Sequence, residues 1–315
     1  MQNNEKQKGS FSPAPFMHGT SPQTGTVWEL FRQGVSMLST ASVTNATNEC
    51  LWLLESTCNL SRLDIYQNPS QRMSSEQWNA AMKLVRRRAS GEPLQYILGT
   101  QEFYGLELNI PHGVFIPRPE TELIVDALRQ QPLPAATPSI ADVGTGSGCL
   151  AVALAVQDSR FTIYATDRCP LACATAQHNA HRHQVADQVT VWPGHLLTPL
   201  ASRGLQGTLS AIVSNPPYIP TAALATLPVD VREHEPWHAL DGGQDGLDVY
   251  RDLLREALDL LLPHGILILE AGAGQASQIC EEAERHGAYS ILQIQQDFAG
   301  IDRVITLERK GSHLV

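Results

Sequence analysis

The chain has 315 residues, enough for one large or two modest domains with proper hydrophobic cores. Its 22 Lys and Arg against 32 Asp and Glu give a net charge of −10, which argues against non-specific nucleic-acid binding by the bulk surface and leaves room only for a local basic patch. The six cysteines form no CxxC pair, no stretch reaches the roughly 18 apolar residues of a membrane span, and the first residues lack a signal peptide's order, so a cytoplasmic protein with reduced thiols and no membrane contact is expected.

Residues 1–25 are rich in Asn, Gln, Ser, Pro and Gly without apolar periodicity, and a disordered tail is predicted there. From Val27 the pattern turns helical, with Trp28, Phe31, Val35 and Leu38 at spacings of three and four, and Leu51, Leu53 and Leu54 open a second apolar patch. Ser74, with Gln77 three residues on, starts a third helix whose face carries Trp78, Met82 and Val85. A small helical bundle over residues 26–90 is expected. Its last helix ends in Lys83, Arg86, Arg87 and Arg88, which complement the helix dipole or offer a contact to an acidic partner.

Alternation at Leu106, Leu108 and Ile110, a Pro111-His112-Gly113 turn and then Val114-Phe115-Ile116 read as a β-hairpin within a linker spanning 91–118. Pro117-Arg118-Pro119 breaks the strand, and Glu120 opens a helix with Leu123, Ile124, Ala127 and Leu128 on its apolar face. From Ser139 onward strands and helices alternate. Strands are expected at 139–143, 161–166, 189–192, 209–213, 266–270, 291–294 and 303–307, and helices at 149–156, 171–180, 250–262 and 275–285. That order means a mainly parallel sheet covered on both faces, a doubly wound α/β unit over 119–315.

Two stretches carry chemistry. The first strand runs into Asp142-Val143-Gly144-Thr145-Gly146-Ser147-Gly148, a glycine turn that brings backbone N–H groups and a helix N-terminus close to a ligand. Such a turn fits a nicotinamide dinucleotide as well as an adenosyl cofactor. Asp142 suits an amino or sulfonium group better than a pyrophosphate. Asp167, ending the second strand, is placed to accept ribose hydroxyls or to cap the helix that starts near Pro170. The second stretch, Asn215-Pro216-Pro217-Tyr218, follows a buried strand at its carboxyl end, where open α/β folds bind ligands. Two prolines free carbonyls from ladder duty, and Asn215 adds another acceptor beside an aromatic ring. That set suits a planar NH2 group, although a proline-punctuated loop with a packed tyrosine reads the same way.

A glycine turn after the first strand, an acid after the second and Asn-Pro-Pro-Tyr after the fourth resemble class I methyltransferases that use S-adenosylmethionine on a planar nitrogen. The segments Gly91 to Gly99, Phe115 to Glu122, Asn215 to Tyr218, Glu235-Pro236 with Ala239 to Gly243, and Gly300 to Arg303 are similar to the HemK/PrmC family. That resemblance implies methylation, with S-adenosylhomocysteine as product, of the glutamine amide in the Gly-Gly-Gln motif of peptide chain release factors. It implies strand order 3-2-1-4-5-7-6, the helical unit as the docking module, a monomer, and no metal or stable nucleic acid. Asn215 and the Pro216 carbonyl would hold the amide hydrogens, with Pro217 shaping the turn and Tyr218 packing on the amide plane. Asp142, Gly144, Thr145, Gly146, Ser147, Gly148, Asp167, Leu196 and Asn215 would surround the cofactor.

One position departs from the family: His195 stands where relatives carry an acid toward the adenine amino group. His178, His181 and His183 gather at a helix end without a carboxylate or cysteine set, which disfavours a metal. Gly242-Gly243-Gln244 matches the release-factor tripeptide but falls where the family has a Gly-Gly turn. Three rival readings remain: an enzyme methylating exocyclic amines of RNA or DNA, a ribosomal-protein glutamine methyltransferase, and a dinucleotide-dependent oxidoreductase.

Overall fold

The computed structural model describes residues 24–58 and 60–311, so the expected tail lies almost wholly outside the described residues. The chain divides into two compact units, the first ending at Ala89 and the second beginning at Ser90.

The first unit is helical: α1 (Val27–Thr40), α2 (Ala46–Cys58), α3 (Arg62–Gln67) and α4 (Ser75–Ala89). Local capping chemistry fixes three of its helix starts. Thr26 and Glu29 form a reciprocal capping box at 2.8 and 3.2 Å, and Ser74 and Gln77 form another at 3.1 Å each way. Ser61 and Asp64 cap α3 in the same way, a short helix that apolar periodicity alone misses because it buries only Ile65. The core stripe of α1 centres on Leu30, Phe31, Gly34 and Leu38, which leaves Trp28 and Val35 half-buried rather than central. Of the basic run, Arg88 pairs with Glu49 of α2, a contact internal to this unit.

The second unit opens with α5 (Leu94–Leu98), β1 (Thr100–Phe103) and β2 (Leu106–Asn109). The hairpin is therefore formed one element earlier than expected. β1 and β2 pair antiparallel around Tyr104 and Gly105, whose φ values of 52° and 75° are those of a two-residue turn matching the strands' twist. Pro111-His112-Gly113 joins no strands. Pro111 lacks a ladder donor, and 114–116 run irregularly, the Val114 carbonyl accepting from the Tyr96 hydroxyl at 2.7 Å.

A 3-10 turn at Pro119–Thr121 leads into α6 (Glu122–Arg129), so the helix expected from Glu120 begins two residues later. The main sheet then alternates β3 (Ser139–Val143), α7 (Cys149–Gln157), β4 (Thr162–Asp167), α8 (Pro170–Arg182), β5 (Val189–Pro193), α9 (Thr198–Ala201) and β6 (Leu209–Ser214). After a long connection holding α10 (Val229–His234) come α11 (Asp248–Leu260), β7 (Leu261–Glu270), α12 (Ala276–His286), β8 (Tyr289–Gln296) and β9 (Asp302–Arg309). β7 takes Leu261 and Leu262, which periodicity assigns to the preceding helix.

Spatial order is β5-β4-β3-β6-β7-β9-β8, parallel except for the pairs that β9 makes. Counted from β3, that is the 3-2-1-4-5-7-6 order implied by the family resemblance. One face is covered by α6, α7 and α8 and the other by α11 and α12. β6 is buried at every position, so its carboxyl end delivers Asn215 from a strand packed on both faces.

Candidate active site

A cleft of about 1040 Å³, counted out to its open mouth, lies at the carboxyl ends of the central strands. The order of strands reverses there, between β3 and β6, which is where open α/β sheets take ligands.

The glycine turn links β3 to α7. Gly144, Gly146 and Gly148 have φ values of 72°, 57° and 81°, a region costly for other residues. A Cβ on Gly148 would sit 2.9 Å from the Cα of Ala176, so that glycine also permits close packing of α7 on α8. Sequence reasoning expects the turn's N–H groups to face a ligand, but most are spent within the protein. Gly144 and Thr145 both donate to the Thr166 carbonyl, Gly148 to that of Thr145, and Gly146 to Asp167 Oδ2 at 2.9 Å. A pyrophosphate would need those donors free.

The turn instead offers acceptors. Asp142 is 1% exposed, and its Oδ2 accepts from the Thr145 hydroxyl at 2.6 Å and the Ala151 N–H at 3.0 Å. Its Oδ1 is buried with no partner among the described residues, and the residue lines the cleft. Burial pushes this carboxyl up to about 7, against the pull of its two donors. An orphaned buried acceptor in a cleft wall fits a cationic ligand. Ser147 Oγ is likewise buried without a partner. Asp167 accepts from Gly146 and from the Cys169 N–H at 2.8 Å, so it ties the turn to the start of α8 and keeps further lone pairs at the cleft. Asp167 is not the cap of α8, whose N-cap is Cys169 without a side-chain cap bond; its carboxylate instead turns the chain two residues ahead of the helix and faces the cleft. Leu196 and the exposed His195 line the cleft from the loop after β5, with the Leu196 carbonyl held by the Thr166 hydroxyl at 2.8 Å.

At the end of β6, Ser214 Oγ donates to the Val143 carbonyl at 2.7 Å and joins the two motif-bearing strands. Asn215 and Pro217 line the cleft, whereas Pro216 is buried beneath them and Tyr218 packs into the core on the α11 face. The Tyr218 phenol, pushed up to about 12 by burial and by Glu270, stays neutral. Its carbonyl is pinned by Gln275 Nε2 at 3.0 Å.

A partner of Asn215, and the acid that partner bonds in turn, escape sequence reasoning. Asn215 Nδ2 donates to Thr121 Oγ1 at 2.9 Å, and Thr121 Oγ1 lies 2.6 Å from Glu270 Oε2. Glu270 is 1% exposed, and burial pushes it up to about 7. The available signal was an acid closing an otherwise apolar strand, Ile266 to Glu270. Phe115, also in the cleft wall, is braced by Arg118 over its ring at 4.7 Å, and Arg118 pairs with buried Glu235.

The histidines at the end of α8 do not converge. His183 Nε2 meets the Glu107 carbonyl at 2.9 Å, and no group of three metal-ligating side chains occurs among the described residues.

Residues 29–99 match the family described as PrmC N-terminal domain, and residues 112–227 the methyltransferase small domain. A release factor glutamine methyltransferase of Geobacter sulfurreducens is 44% identical over 285 residues, covering 90% of this chain and 97% of that protein. One from Moorella thermoacetica is 41% identical over 285 residues, covering 90% and 99%. Among solved structures, the hMettl16 catalytic domain in complex with MAT2A 3'UTR hairpin 6 superposes with a TM-score of 0.50 at 18% identity over 74% of this chain and 83% of that one, a likeness of fold alone.

Proposed function

Since the chain belongs to the release factor glutamine methyltransferase family, we propose that it methylates the side-chain amide nitrogen of the glutamine in the Gly-Gly-Gln motif of peptide chain release factors, with S-adenosylmethionine as donor. The observation that carries the reading is Asn215, whose Nδ2 is held by Thr121 so that its Oδ1 is the free end, at the end of a buried strand in a cleft that Asp142 and Asp167 also line.

The cofactor supplies a methyl group already activated by a positive sulfur. Asp142 would hold its cationic amino-acid end, Asp167 its ribose hydroxyls, and Leu196 the adenine face. Gly144, Thr145, Gly146, Ser147 and Gly148 would shape the floor. The consumed N–H groups of the glycine turn support this ligand over a dinucleotide. His195 brings no carboxylate to the adenine edge, so that contact differs from the pattern in relatives.

An amide nitrogen is a weak nucleophile because its lone pair is delocalised into the carbonyl. The work asked of the protein is therefore orientation and exclusion of water more than base catalysis. Asn215 Oδ1 and the Pro216 carbonyl would accept the two amide hydrogens, which fixes the amide plane and turns one face toward the methyl group. Pro217 keeps the turn rigid; Tyr218, expected on the amide plane, packs against the core on the α11 face and does not line the cleft, so that contact would need the ring to move. Methyl transfer would form the N–C bond and leave the C–S electron pair on the cofactor, and one of the amide protons held by Asn215 Oδ1 and the Pro216 carbonyl would be released to solvent as the product leaves.

The helical unit, with α1 to α4, is the proposed docking module for the release factor, a monomer is proposed, and the cytoplasm is the proposed site of action. No helix among the described residues is long and apolar enough to cross a membrane. The test is methyl transfer from labelled S-adenosylmethionine to a purified release factor, beside the same factor with its Gly-Gly-Gln glutamine changed to alanine. Label on the first alone is expected. Transfer to RNA or DNA, with neither factor labelled, would replace this reading by the exocyclic-amine one.

A further inference from the structure

We infer that Thr121 and Glu270 are positioning residues that act through Asn215, setting which end of its side-chain amide faces the substrate. The inference rests on the proposed glutamine methylation. It adds a pair of residues from two other elements, the 3-10 turn before α6 and the end of β7.

A threonine hydroxyl has one proton to give and lone pairs to receive, whereas a carboxylate can only receive. Glu270 Oε2 lies 2.6 Å from the Thr121 hydroxyl, and in its ionised form, which dominates above about pH 7, it can only accept, so the Thr121 proton is then committed to the carboxylate. The hydroxyl then faces Asn215 as an acceptor, so only the NH2 end of Asn215 can meet it, at 2.9 Å. The carbonyl oxygen is left at the opposite end of the amide, toward the cleft. Without this constraint the two ends of an asparagine amide are nearly equal in shape, and a rotation of 180° would present NH2 to the substrate's NH2.

The chain is rigid at each link. Thr121 and Glu270 are each 1% exposed. The Glu270 carbonyl accepts from the Tyr250 hydroxyl at 2.7 Å, which fixes the strand end that carries the acid. Asn215 follows Ser214, itself bonded to β3. A buried acid is costly to desolvate. Orientation of a reacting group explains its presence where packing does not.

Thr121→Val removes the hydroxyl at nearly constant shape, and Thr121→Ser keeps it. The wild type, both variants, Glu270→Ala and the double variant Thr121→Val/Glu270→Ala are assayed on an intact release factor, with cofactor Kd and melting temperature measured for each. The expected result is a kcat lowered by about 100-fold in Thr121→Val with cofactor Kd and KM held within about threefold, and activity restored by serine. Because the two residues act as a unit, the double variant should lose no more than the worse single one. The inference is overturned if Thr121→Val keeps its kcat, if serine fails as badly as valine, or if the losses multiply or follow cofactor affinity and melting temperature. Wild-type enzyme that does not label the factor would overturn the substrate reading and the relay with it. A fully active Thr121→Val beside an active wild type overturns the relay alone.

Discussion

Asn109 and Asn179 exchange two hydrogen bonds: the Asn109 N–H donates to Asn179 Oδ1 at 2.8 Å, and Asn179 Nδ2 donates back to the Asn109 carbonyl at 3.0 Å. The same Nδ2 reaches the Ser147 carbonyl at 2.8 Å, so one buried side chain on α8 clamps the hairpin strand β2 to the glycine turn. Asn179→Asp keeps the shape but sets a second carboxylate oxygen against two carbonyls. With two buried acceptors left unpaired, we expect a loss of about 2–4 kcal/mol in urea unfolding and weaker cofactor binding. A variant as stable as the wild type would remove Asn179 as the clamp.

What the sequence revealed and what it hid follow one physical division. The Ser74 and Gln77 capping box and the βα alternation are local patterns, each contained in a few residues, and the structure forms them as expected. The turn at Tyr104 and Gly105 was local too, but the proline-glycine pair at 111–113 masked it. Thr121 and Glu270 were not legible, because their meaning depends on a contact across 149 positions of sequence. Nor does periodicity tell that the glycine turn's donors are consumed by Thr166 and Asp167, since those bonds arise only once β3 and β4 pair.

Gly242 belongs to the tripeptide that mimics the release-factor motif, and its role is steric. A Cβ there would fall 2.8 Å from both the Tyr218 Cα and the Gly246 carbonyl oxygen, backbone atoms with little freedom to yield. Ile219 also pairs with this segment, through its N–H to the Leu240 carbonyl and its carbonyl to the Gly242 N–H, both at 2.9 Å. Gly242→Ala should displace Tyr218 and lower methyl transfer by about 10-fold or more, with cofactor binding less affected. Gln244→Ala, outside that contact, should be neutral. Equal kinetics for both variants would deny Gly242 its steric role.

Cofactor binding should depend on pH through Asp142. Its carboxyl, raised to about 7 by burial, is largely protonated in the free protein below that pH. A cationic ligand favours the ionised form, so binding would release a proton there. Affinity for S-adenosylmethionine should therefore rise up to about tenfold per pH unit as pH climbs toward about 7, then level off. Calorimetric titrations in two buffers of different ionisation enthalpy measure the proton released. Asp142→Asn should bind more weakly at pH 8 and lose the dependence. An unchanged slope in that variant would assign the proton elsewhere.

Folding stability should carry the mark of both buried acids, and its sign is fixed by the direction of their shifts. Glu270 and Asp142 are raised to about 7 in the folded chain from ordinary carboxylate values near 4. Below about pH 4 both are neutral in either state and cost nothing. As pH rises through about 7 the folded protein must hold buried charge, or pay to keep a proton the unfolded chain has already lost, and this part of its stability disappears. Glu270→Gln removes the ionisation while retaining a carbonyl that can accept from Thr121. The variant should match the wild type near pH 4 and exceed it at pH 8, by an amount on the order of a few kcal/mol at most. Arg118 and Arg303, whose charges pull the Glu270 carboxyl down, reduce the gain. Urea unfolding of the two proteins at both pH values decides it: a difference that is the same at pH 4 and pH 8 would mean that Glu270 does not titrate with folding.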